Sequence, residues 1–255
     1  LEAIHEVSLT DPEEDYFLLL PVFACFLLVI PFPYHEALWK LARFDELPVE
    51  ERKPLLTFYR ACLQRHLYVV GPERQLLSKN PSFSSLVLSL LETFPSARII
   101  CCVRDPWEVV PSQLSSLRPG CEIFGYDVES PSVRDRFLDM LEFYGIHLLR
   151  SLTPLPDDRH VFVPLHLLKQ DVAGQLLHIY ERFGWEAGTE FRERLSVESA
   201  RSREYKSQHR YTLEEFGIQD EEIVTRFREL NERFGFGDPA KDGGKLPPSG
   251  GETAC

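Results

Sequence analysis

Much of what would make this chain easy to place is missing from it. Its 255 residues contain no G-x-x-x-x-G-K-[ST] phosphate loop, so a nucleotide-kinase reading has no anchor. The six cysteines (Cys25, Cys62, Cys101, Cys102, Cys121 and Cys255) form no C-x-x-C pair and no spacing with histidine suited to zinc. Most lie in apolar runs, where a reduced cysteine acts as a small hydrophobe, so free thiols and a reducing, cytoplasmic compartment are expected, with no metal. Positive charge is scarce: 28 Lys and Arg stand against 40 Asp and Glu, a formal net charge of -12. That balance argues against a surface for nucleic-acid polymers but leaves room for one local basic pocket. No apolar run reaches the roughly 20 residues of a membrane span. The one candidate, DYFLLLPVFACFLLVIPFP, is interrupted at Pro21 and ended at Pro31, and reads as a buried helix rather than a membrane segment.

What is present is the patterning of a globular chain, with 44% hydrophobic and 27% charged residues. In DPEEDYFLLL, Asp11 is placed as an N-cap, Pro12 as the first helical residue, and Glu13 and Glu14 in the first turn. HEALWKLARF and PVEERKPLLTFYRACLQRHLYV read as amphipathic helices. A short apolar run ending on Lys79 (74–79), a helix over 82–94 and the β-branched run ARIICCV then form a βαβ unit, which implies parallel strands. RHVFVP (159–164) is expected as a third strand after a long helix, and further helices follow to about residue 235. The expected class is α/β: a parallel sheet flanked by helices, helix-rich, with one domain over 1–235. The segment 236–255, rich in Gly, Pro and Lys without periodicity, is expected to be a disordered tail.

Arg104 stands where a parallel strand would end, the edge at which open α/β sheets bind ligands. A guanidinium there matches phosphate geometry. Asp105 suits an N-cap, Pro106 the first helical turn, and Glu108 a capping box, while the helix start adds amides that favour an anion. Pro111 predicts a kink that turns Ser112 toward the same space. Lys79 repeats the pattern on the neighbouring expected strand. Two readings are open at this point: an anion site, or Arg104 paired with a local carboxylate and Ser112 solvated.

The segment LLSKNPSFSSLVLSLLETFPSARIICCVRDPWEVVPSQLS resembles the central part of the sulfotransferases that use 3′-phosphoadenosine 5′-phosphosulfate. HEVSLTDPEEDYFLL, IYERFGW and HRYTLEEFGI extend the resemblance over most of residues 4–235. It implies a P-loop-like sulfotransferase fold, Arg104 and Ser112 on the 3′-phosphate of the nucleotide co-substrate, and Lys79 near the bridging oxygen. It also implies His209 and Tyr211 as lining of the nucleotide site, and His5, Glu13 or Glu14 as the base that takes the proton of a small-molecule or carbohydrate acceptor. His147 and His178 fall in amphipathic helices and read as packing or surface residues. Nothing before Gly71, the first glycine, reads as the family's strand, Gly-rich phosphosulfate loop and helix. With a first residue of Leu rather than Met, the chain therefore reads as N-terminally incomplete or as a fragment. Pro81 stands where cytosolic members carry a base histidine, and LHLL (165–168) replaces the usual Tyr-Glu-Asp-Leu. Two functions follow as expectations: sulfuryl transfer to a hydroxyl or amine, or a noncatalytic relative that only binds the 3′-phosphate or serves as an interaction module.

Overall fold

The apolar run that follows Glu14 does not form one helix. In the computed structural model, which describes residues 13–204 and 211–237, it folds as two 3-10 turns, Asp15–Val22 and Phe26–Val29. Pro21 explains the correction, because it has no N–H to donate and its ring crowds the carbonyl an α-helix would place four residues back. The first turn closes on Phe23, whose φ of 54° lies in the left-handed region, with its amide on Leu20 O and that of Ala24 on Leu19 O. Leu19, Cys25 and Val29 are buried, while Phe17, Leu18, Leu20 and Phe23 stay exposed. No helix among the described residues is long and apolar enough to cross a membrane.

The described residues fall into two compact units, one within 1–97 and 116–154, the other within 98–115 and 155–255. In the first, α1 (Glu36–Trp39) continues as a 3-10 turn, Lys40–Glu46, and leads to α2 (Val49–Val70). A 3-10 turn, Pro81–Leu86, then precedes α3 (Val87–Thr93). α5 (Pro131–Leu152) presents Val133, Phe137, Leu138, Met140, Tyr144, Leu149 and Leu152 inward. A separate cluster joins Leu19, Cys25, Phe44, Tyr59, Leu63, Phe83 and Leu86. The expected strand over 74–79 does not form. Residues 75–80 carry no regular structure, and the chain has one sheet, of two strands, among its described residues. The run has no ladder partner and leaves Leu77 85% exposed, so its apolar character is not used as a strand's would be.

The second unit holds that sheet: β1 (Ile99–Val103) pairs in parallel with β2 (His160–Pro164), in register from Ile99 with His160 to Val103 with Pro164. The parallel pairing follows the sequence expectation. α4 (Pro106–Ile123) leaves the end of β1 and supplies its last residues to the first unit. After β2 come α6 (Leu165–Gln170), α7 (Val172–Arg182), α8 (Thr189–Glu204), α9 (Asp220–Arg226) and α10 (Arg228–Phe234). Val161 and Val163 of β2 bury against Ile179 of α7 and Phe183, with Trp185 packed alongside. Arg182 fastens this layer, its Nε donating to the carbonyls of Asp157 at 2.8 Å and His160 at 2.9 Å. The five described cysteines are all free, and Cys25, Cys101 and Cys121 are buried.

One buried carboxylate organises the first unit. Asp45 accepts from the amides of Leu88 (2.9 Å) and Ser89 (3.0 Å) at the start of α3, from Ser89 Oγ, and from His147 Nε2 of α5 at 2.8 Å. Arg52 of α2 donates to the same serine hydroxyl at 2.7 Å. His147 is thus a packing residue, stacked on Phe143. Burial alone would raise the pKa of Asp45, but the hydrogen bonds from His147, Ser89 and the two amides outweigh it and hold the carboxyl below its usual range. A folded-state pKa below the unfolded value of about 3.9 means that the stabilisation is present above about pH 4 and disappears as pH falls through the folded value. Asp45→Asn is expected to cost about 2–4 kcal/mol at neutral pH and to flatten the acid limb of the stability profile. Amide exchange at Leu88 and Ser89 should accelerate, and unchanged protection there would contradict the role given to Asp45.

Candidate functional site

Arg104 follows the last rung of β1, and the turn into α4 is held by Asp105, whose Oδ1 accepts from Trp107 N at 2.9 Å. The expected N-cap is present, but it occupies an amide that had been expected to face an anion. Trp107 Nε1 donates to Asp220 of α9 at 3.3 Å, which secures the turn from the side. The carboxylate of Glu108 accepts from Arg104 Nε at 3.0 Å. Arg104 Nη1 reaches Ser112 Oγ at 3.3 Å. Pro111 lies within α4, whose helical assignment continues from Pro106 to Ile123. Glu108 and Ser112 lie four residues apart on one helix face, so a single turn brings both to the guanidinium. That spacing was readable in the sequence. Arg104 is therefore paired with a local carboxylate, as the second reading expects, but Ser112 bonds to the guanidinium instead of being left to solvent.

Lys79 and Glu14 meet in the first unit. The Lys79 ammonium donates to Glu14 Oε1 across 65 residues of chain; the lysine side chain is 76% exposed and that of Glu14 only 15%. The neighbouring Asp15 was not anticipated as a site residue. Its Oδ1 accepts from Ser78 Oγ at 2.9 Å and Asn80 Nδ2 at 3.0 Å, and its Oδ2 accepts from the phenol of Tyr59. Burial, then the hydrogen bond and charge of Asp15, push the Tyr59 phenol well above the ordinary tyrosine range, so it stays a donor. The acidic pair Glu14-Asp15 was the available signal, but nothing local told which residues it would face.

The other predicted residues are spread more widely. Glu13 is exposed, and its carboxylate accepts from the amide of Glu14 at 3.4 Å. Tyr211 is half-buried at the start of a segment whose Leu213, Phe216 and Ile218 are buried, and which a Thr212–Glu215 capping box closes. His5 and His209 lie outside the described residues, as do Asp11 and Pro12. His178 is exposed on α7. Among the described residues, no three His, Cys, Asp or Glu side chains are grouped to hold a metal ion.

A profile of the sulfotransferase family matches residues 31–189, more than half of the chain. The chain belongs to the sulfotransferase family. It is 27% identical over 258 aligned residues to omega-hydroxy-beta-dihydromenaquinone-9 sulfotransferase Stf3 of Mycobacterium bovis and of Mycobacterium tuberculosis, an alignment covering 96% of this chain and 63% of each relative. It thus spans somewhat under two thirds of the length of these relatives. The fold matches the crystal structure of sulfotransferase STF9 from Mycobacterium avium with a TM-score of 0.71 at 22% identity, over 93% of this chain and 62% of that one. Sulfotransferase STF1 from Mycobacterium tuberculosis H37Rv gives 0.69 at 20% identity, over 89% and 57%. The helix-rich α/β fold with parallel strands is therefore that of solved sulfotransferases.

For a sulfotransferase, the arrangement at Arg104 suits a phosphate in its donors and opposes one through Glu108. The guanidinium is 35% exposed and the carboxylate 47%, so solvent screens the pair and its worth is below about 1 kcal/mol. Glu108→Gln is expected to tighten retention on immobilised 3′,5′-adenosine bisphosphate by about two- to fivefold, measured by the free bisphosphate needed for elution. Weaker retention would mean that the carboxylate orients Arg104 rather than competing for it.

Proposed function

We propose that this chain takes 3′-phosphoadenosine 5′-phosphosulfate as co-substrate and moves its sulfuryl group to the hydroxyl or amine of a small acceptor. The observation that carries this reading is the Arg104–Ser112 contact at the end of β1, where a charged fork and a hydroxyl present N–H and O–H donors together. The residues fit a terminal phosphate by donor chemistry, with Arg104 and Ser112 holding the 3′-phosphate. Family membership supports a transferase, and the matched span includes Lys79, Arg104 and Ser112.

When bound, the co-substrate supplies a sulfuryl group already activated by its phosphate leaving group. The chain's residues supply proton and charge management. Glu14, mostly withdrawn from solvent, accepts the acceptor's proton on a carboxylate oxygen. Lys79 is assigned the role of offsetting negative charge on the departing phosphate oxygen. In the free protein the two partners satisfy each other, so neither is an unpaired charge. Tyr211 and His209 complete the nucleotide side of the proposal, and His5 and Glu13 are its alternative bases. A cytoplasmic setting belongs to the same reading and accords with the free thiols. For the acceptor, the relatives are named for omega-hydroxy-beta-dihydromenaquinone-9. Phe17, Leu18, Leu20 and Phe23, which follow Glu14 closely and stay exposed, favour an apolar hydroxylated acceptor over a carbohydrate.

Two measurements separate binding from turnover. Arg104→Ala should weaken retention on immobilised 3′,5′-adenosine bisphosphate by about 10- to 100-fold, the scale of a lost charge-assisted contact. Glu14→Gln and Lys79→Ala should retain binding and lower kcat for sulfuryl transfer by about 100-fold or more. Retention indifferent to Arg104 would remove the nucleotide site. Retention without turnover in the unaltered protein would leave a binding module.

A further inference from the structure

Lys79 has a positioning problem that secondary structure does not solve. It sits in residues 75–80, which carry no regular structure, and its side chain is largely in solvent. A flexible lysine there samples many rotamers, and ordering it at each turnover would be costly. Yet the residues on either side of it are both held. Ser78 and Asn80 donate to one oxygen of Asp15, at 2.9 and 3.0 Å. Asn80 also accepts from Ser82 Oγ at 2.8 Å, which continues the grip into the following 3-10 turn.

The other oxygen of Asp15 leads to the core. Tyr59 of α2 is buried edge-on against Phe83 at 5.2 Å and Phe94 at 6.1 Å, and its phenol donates to Asp15. Asp15 thus connects a fixed aromatic cluster to both neighbours of Lys79. Its own chain neighbour is Glu14, the carboxylate on which the Lys79 ammonium rests. We infer that Asp15 is a positioning residue, which holds Glu14 and Lys79 in one frame by gripping Ser78, Asn80 and Tyr59. This rests on the proposed function for its catalytic consequence, though not for its geometry. Since the phenol stays protonated, the grip keeps its donor at every working pH.

The test uses three variants of the intact protein and two readouts. Asp15→Ala removes both arms of the grip. Asp15→Asn keeps an oxygen for Ser78 and Asn80 and turns an amide toward Tyr59, whose hydroxyl can accept, so it is the conservative rescue. Tyr59→Phe cuts only the link to the core and serves where Asp15→Ala fails to fold. The first readout is acetylation of Lys79 by acetic anhydride, which releases acetate, scored by peptide mass spectrometry against the exposed Lys53 of α2. Asp15→Ala should raise the Lys79:Lys53 ratio severalfold, Tyr59→Phe should raise it less, and Asp15→Asn should return it to near the original value. The second is steady-state sulfuryl transfer. Asp15→Ala should lower kcat by about 10- to 100-fold, the scale of a reacting group misplaced by about 1 Å, while retention on the bisphosphate changes by less than about threefold. A labelling ratio unmoved in folded Asp15→Ala or Tyr59→Phe overturns the inference. A ratio that moves in a protein without turnover upholds the positioning and rejects the proposed function, so the two failures are distinguishable.

Discussion

Where regular secondary structure gives out in this chain, an aspartate carboxylate supplies the missing acceptors. Among the described residues, one two-stranded sheet and many short helical turns leave numerous segment ends whose donors need partners. Asp45 meets the amides that open α3, Asp105 the amide that opens α4, and Asp15 the side-chain donors on both sides of Lys79. A carboxylate suits this work because it offers two acceptor oxygens and several lone pairs from a short, stiff side chain. Two of them also bond directly to a second element, Asp45 to His147 of α5 and Asp15 to Tyr59 of α2, while Trp107, whose amide Asp105 holds, donates its indole N–H to Asp220 of α9.

The proposed chemistry divides between two pairs, each with its own carboxylate. Arg104 and Ser112 gather at the end of β1, and Glu108 shares the guanidinium. Glu14 and Lys79 gather in the other unit, beside Asp15. In both, a cation that the proposal assigns to an anionic ligand is partly satisfied by an acid of the chain itself. Such pairing lowers the cost of holding a charge when no ligand is bound, and it tempers affinity by the same amount. The family match and the fold match give this reading its setting, while the chain spans under two thirds of the relatives' length.

The local grammar was legible. Long helices such as Val49–Val70 and Pro131–Leu152 formed as their periodicity indicated, and β1 paired in parallel with β2 as the β-branched runs implied. Arg104 and Ser112 met at the spacing expected of them. The run ending on Lys79 misled, because apolar residues in a row indicate burial only if a ladder exists to receive them, and none did. The apolar stretch after Glu14 misled for a related reason: composition pointed inward, but Pro21 broke the helix that would have turned it inward, leaving Phe23 in solvent.

The amino-acid order by itself determined the long helices, the strand-to-helix turn at Arg104-Asp105-Pro106 and the family, because each depends on residues within a turn or two of one another or on a contiguous phrase. The tertiary structure alone decided that Glu14 faces Lys79 and that Asp15 grips Ser78, Asn80 and Tyr59. Those contacts span 44 to 65 residues, and a carboxylate carries no mark of which distant donor it will meet. Only packing of the core around Tyr59 and Phe83, which sets the path of the chain between them, brings the partners within reach.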